Sequence, residues 1–157
     1  MKYATRLSVM AALCLLAIAR PAQATGAFLC GIKDDSLKFS AESAFSHGLG
    51  ERFMDFAASG TVLLKDAPKD LAELKFDDGA LVHHWFAGGD LKLHLYRERE
   101  GEAAHGYVEL ILETKQSPDD ETVFQGAYKL QVYDTTNTKD GEGQKIEAEG
   151  KAACSVG

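Results

Sequence analysis

The side chains able to do chemistry in this chain gather in one stretch, residues 81–96, LVHHWFAGGDLKLHLY. It holds three of the five histidines (His83, His84 and His94) and the only tryptophan, Trp85. Two neutral imidazoles on one face can share a soft divalent cation such as Zn²⁺ or Cu²⁺. Specific sites of that kind need three or four ligands, and Glu109 in the next run is the candidate third. The aromatic residues offer a second chemistry. Trp85, Tyr96 and Tyr107, with Ile111 and Tyr133 further on, would form an apolar surface with a polar rim. Such a surface suits a protein, a carbohydrate or a small ligand.

These residues must be held by a β-hairpin. Gly88-Gly89 separates two alternating runs, and a two-residue turn needs positive φ at both positions, which glycine adopts without a steric cost. That turn pairs Ala87 with Asp90, Phe86 with Leu91, His84 with Leu93 and Val82 with Leu95, an apolar set expected to face the core. The outer face then sets Trp85 opposite Lys92, His83 opposite His94 and Leu81 opposite Tyr96. A slip of one residue would scatter the leucines over both faces, so this register is favoured. By the same register His84 points inward, as a hydrogen-bonded core histidine rather than a ligand.

Signatures of other chemistry are absent from the sequence. There is no Gly-x-Ser-x-Gly, no His-Glu-x-x-His, no phosphate-cradling glycine loop and no haem-attaching Cys-x-x-Cys-His. Loop 136–141 has the glycine of a calcium loop, but Thr136 and Thr138 stand where acidic ligands belong. Carboxylate pairs assemble in space and leave no trace in sequence. A hydrolase using Asp90, Glu109 or Glu113 therefore ranks third among the functions expected.

The first 24 residues have the layout of a secretory signal: Lys2 and Arg6, an apolar run over 7–19, then Ala22-Gln23-Ala24. Cleavage after Ala24 is expected, leaving a mature domain of 25–157 in the periplasm or outside the cell. The run is too short for a spanning helix, and no other apolar segment could cross a membrane. The chain has 17 basic and 24 acidic residues, and the signal removes three of the former. The mature charge is then 14 − 24 = −10, which disfavours nucleic acid and anionic lipid as partners. Cys14 leaves with the signal, so Cys30 and Cys154 remain, and in an oxidising compartment they form one disulfide.

Alternating runs over 28–32, 36–41, 61–65, 81–87, 90–96, 107–115, 123–133 and 145–154 give about eight strands. Pro68 opens a short helix, 42–59 is ambiguous, and 97–106 reads as a charged, solvated loop. The expected fold is all-β: an antiparallel meander forming a sandwich or small barrel, closed by the disulfide. The expected function is an exported, non-catalytic binding module acting through the aromatic and histidine face. No cofactor is expected; a divalent-metal-binding protein holding Zn or Cu with His83, His94 and Glu109 is the alternative.

Overall fold

The computed structural model describes residues 25–46, 52–136 and 142–157. The expected signal segment, His47 and most of the discarded calcium-like loop lie outside the described residues. The chain forms β1 (Thr25–Lys33), β2 (Leu37–Ser46), β3 (Arg52–Val62), a single helical turn α1 (Lys69–Ala72) and β4 (Glu73–Phe76). β5 (Leu81–Ala87), β6 (Asp90–Glu98), β7 (Gly106–Gln116), β8 (Val123–Asp134) and β9 (Gln144–Val156) follow. They make one antiparallel sheet in the order β4-β3-β2-β1-β9-β8-β7-β6-β5. The sheet curls into a nearly closed barrel.

All neighbours are antiparallel, so the two edge strands, β4 and β5, run in the same direction. Only residues 77–80 separate them. They are therefore two halves of one strand that changes partner, the first half on β3 and the second on β6. Counted this way the barrel has eight staves, one of them broken. The break is held from both sides: the Phe56 amide donates to Asp78 Oδ1 at 2.9 Å, and the Tyr96 amide donates to the Ala80 carbonyl at 2.9 Å.

Alternation puts one apolar face of every strand inside. Leu91, Leu93 and Leu95 of β6, Val108, Leu110 and Leu112 of β7, and Phe124, Tyr128, Leu130 and Val132 of β8 are all buried. All eight phenylalanines of the chain pack into this interior or against it, with Phe28 on Phe53 at 4.5 Å and Phe45 on Phe86 at 5.1 Å. Each fully buried leucine or phenylalanine contributes about 1.5–3 kcal/mol. The interior is thus a packed core. On the inner face of β9 the Tyr128 ring lies over Gly150, where a Cβ would come 2.7 Å from it.

The expected disulfide joins Cys30 to Cys154, which face each other directly across the β1–β9 pair. Both are buried. The bond spans 124 residues and fastens the first stave to the last.

Three expectations need correction. The third strand covers Arg52–Val62 rather than 61–65. Its pattern is broken by an extra residue where the register with β2 shifts between Glu42 and Ala44 and by Asp55 at φ 55°, and buried Ser43 of β2 donates to Met54 O there. Residues 97–106 are not a solvated tip throughout. Arg97 belongs to β6, and the Arg99 side chain is only 8% exposed. Arg99 donates to Asp70 and to Asp134 Oδ1 (2.8 Å), which ties α1, with Leu71 fully buried beneath it, over one end of the barrel. The third correction falls in the hairpin itself.

Candidate functional site

The hairpin turn forms as expected, with Gly88 at φ 63° and Gly89 at φ 80°. Ala87, Phe86, Trp85, His84 and His83 pair with Asp90, Leu91, Lys92, Leu93 and His94. Beyond His83 the register shifts, and Leu81 rather than Val82 lies opposite Leu95. One extra residue in β5 is a β-bulge. It turns Leu81 toward the core and leaves Val82 56% exposed, three residues from Trp85, itself 52% exposed. The pairings of Val82 with Leu95 and of Leu81 with Tyr96 are therefore replaced. Leu81 and Val82 are both apolar, so alternation does not reveal which of them faces the core.

The metal candidates lie on the outer face. His94 Nε2 and Glu109 Oε1 are 2.7 Å apart, and His83 stands opposite His94 in the ladder. No group of three or more His, Cys, Asp or Glu is gathered closely enough to hold a cation among the described residues. The structure thus joins His94 to Glu109 and leaves His83 as an exposed neighbour. His84 points inward as expected and packs on Phe53 at 5.0 Å.

The aromatic candidates divide into two groups. Tyr96, Tyr107 and Tyr133, on three successive strands, form a stack with centroid spacings of 5.3 Å at both steps. His105 lies against two of them, 6.0 Å from Tyr107 and 5.9 Å from Tyr133. The stack is anchored through its hydroxyls: Gln131 Nε2 donates to the Tyr107 oxygen, and Tyr96 donates to Glu98 Oε1 at 2.8 Å. Burial, and then the adjacent Glu98 carboxylate, pushes the Tyr96 phenol up to about 12, so it remains a donor at neutral pH. Gly143 lies against the far face of Tyr133, where a Cβ would strike the ring. Tyr107 thus lies between Tyr96 and Tyr133, and Gly143 closes on the Tyr133 ring.

Trp85 stands apart from this stack. Its row across the sheet runs through Lys92 and Glu113, whose side chains pair at 3.5 Å, whereas Tyr96 shares a row with Glu109. No ring packs on Trp85 among the described residues. Phe53 and Phe56 belong to β3, where Phe53 packs on Phe28, Phe45 and Phe56 rather than on Trp85.

Sequence reasoning missed the buried Arg99–Asp134 ion pair. Burial pushes the Asp134 carboxyl up, but hydrogen bonds from Thr136 and Arg99 outweigh it and hold it below the usual carboxylate range. Arg99 and Asp134 lie 35 residues apart in unrelated patterns, and no local signal connects them.

Fold and surface together define an eight-stave, disulfide-closed antiparallel barrel with a packed interior and a mixed aromatic and ionic outer face. Comparison with family models, with curated proteins and with solved structures finds no match to this chain.

Proposed function

We propose that the protein is an exported, non-catalytic binding module whose contact surface is the outer face of β5–β8. The observation that carries this reading is the bulge in β5, which exposes Val82 beside the 52% exposed Trp85 on an edge strand of the barrel. A half-exposed tryptophan with an exposed valine, rimmed by His83, Lys92 and Glu113, has the make-up of an interface anchor. A protein partner is favoured over a carbohydrate because Tyr107 and Tyr133 spend their ring faces on neighbouring rings and on Gly143 rather than presenting them to a sugar. Export accords with the Cys30–Cys154 disulfide. No helix among the described residues is long and apolar enough to cross a membrane.

A photo-crosslinking residue at Val82 should capture one discrete protein from the exported fraction. Trp85→Ala should abolish that capture and change unfolding free energy by no more than about 0.5 kcal/mol. A loss of about 3–5 kcal/mol would make Trp85 a packing residue and overturn the assignment.

The second reading, divalent-metal binding, rests on the 2.7 Å contact of His94 with Glu109 and on His83 opposite His94.

A further inference from the structure

Three lysines gather on another part of the barrel's outer surface. Two adjoining depressions, of about 490 and 570 Å³, lie on the outer surface of β3, β2, β1, β9 and β8 and share Gly31 and Lys33. Lys33 and Lys38 border the first, and Lys33 and Lys151 the second. Lys33 and Lys38 are directly opposed across the β1–β2 pair, an arrangement that costs stability. None of the three lysines makes an ion pair among the described residues. The nearest acid in sequence to Lys33, Asp34, turns its carboxylate to the Ser36 and Leu37 amides and the Tyr128 hydroxyl. In a chain whose net charge is −7, three unpaired cations around one hollow stand out.

The floor of this hollow is unusual as well. Gly31 is exposed in β1, and its pairing with β2 and β9 runs without a bulge. A Cβ built on it meets nothing within 4 Å. Gly60 and Gly126 differ, since a Cβ there would collide with neighbouring backbone. Glycine weakens a strand relative to other residues, and in strands it marks a bulge, a tight bend or the close approach of another group. No bulge and no neighbouring side chain or backbone requires glycine at Gly31, and the open space above it leaves room for a ligand to approach. Ser40, Ser59, Thr61 and Gln125 around it supply hydroxyl and amide groups.

We propose that this hollow binds an acidic oligosaccharide, its sugar frame resting over Gly31 and its sulfate, phosphate or carboxylate groups meeting Lys33, Lys38 and Lys151. Neutral hydroxyl and amide donors suit sugar hydroxyls. A single-stranded nucleic acid fits less well, because it needs exposed aromatic rings for its bases and the one aromatic residue lining the hollow, Phe39, is buried. The acidic remainder of the surface also repels a long polyanion, whereas a short ligand within the patch is shielded over about one Debye length.

Calorimetric titration of the full mature chain with a sulfated tetrasaccharide, its unsulfated counterpart and a single-stranded oligonucleotide of equal charge tests the proposal. The sulfated sugar should bind, and salt should weaken it. The unsulfated sugar should bind at least about tenfold less tightly, and so should the oligonucleotide, a factor equivalent to about 1.4 kcal/mol. Gly31→Leu fills open space, so the melting temperature should hold while affinity falls by about tenfold or more. The double change Lys33→Gln with Lys38→Gln should do the same, and Lys69→Gln with Lys145→Gln, outside the hollow, should not. Absence of sulfated-sugar binding, equal binding of the oligonucleotide, or affinity unmoved by both Gly31→Leu and the Lys33/Lys38 pair would overturn it.

Discussion

The Tyr128 hydroxyl donates a 2.7 Å hydrogen bond to Asp34 Oδ2, tying the middle of β8 to the turn between β1 and β2, 94 residues earlier. The bond crosses Gly150, the one position on β9 where the absence of a side chain lets the ring and the carboxylate meet. Partial burial pushes the Asp34 carboxyl up, but the bonds from Tyr128 and the Ser36 and Leu37 amides outweigh it and hold it below the ordinary range.

Tyr128→Phe keeps the buried ring and removes only this bond, and should cost about 1.5–3 kcal/mol, as for hydrogen bonds to charged groups. The sign with pH follows from the lowered carboxyl. Its contribution is complete above the unfolded value of about 3.9 and is lost as pH falls through the lower folded value. Urea melts between about pH 6 and pH 2 should show the wild-type advantage over Tyr128→Phe shrinking in that acid window. An advantage constant with pH would mean that the hydroxyl does not act through Asp34.

The Arg99 cluster gives a contrast between two carboxylates. Asp134 has a side chain 5% exposed, while that of Asp70 is 53% exposed. Arg99→Ala strands a buried carboxylate and should cost about 3–5 kcal/mol. Asp70→Ala removes an exposed partner, for which about 0–1 kcal/mol is expected. Denaturant midpoints of the two variants check this, and similar losses would contradict the assignment of Asp134 as the buried partner.

For metal, calorimetry with Zn²⁺ or Cu²⁺ decides between a site and an ordinary ion pair. If His83 and His94 share a cation, His83→Ala and His94→Ala should weaken it to a similar degree, and Glu109→Gln should weaken it further. Binding indifferent to these changes would leave His94–Glu109 as a surface pair alone.

Much of the barrel was legible because six of its staves alternate cleanly. β6, β7 and β8 place every second side chain inside, and their leucines, valines and aromatics announce it. The disulfide followed from cysteine count and compartment. The rest was hidden by local geometry that sequence does not encode in period two. β3 carries a left-handed Asp55 and a register shift, and β4 and β5 are halves of one stave that look like two strands. Of the candidate site, the turn, the His83–His94 pairing and the inward His84 were readable. The separation of Trp85 from the tyrosine stack was not, because it depends on how far apart their rows lie across the sheet.

Every pairing in the barrel but one joins strands close in sequence. The exception is β1 with β9, which meet at Cys30 and Cys154 across 124 residues. Forming that pair carries the largest loop-closure entropy of any in the molecule, so on the way to the native state it must come after the local hairpins. Thiol oxidation then acts as a clock for barrel closure: during refolding from the reduced state, the cysteines should become linked only once most β-structure has returned.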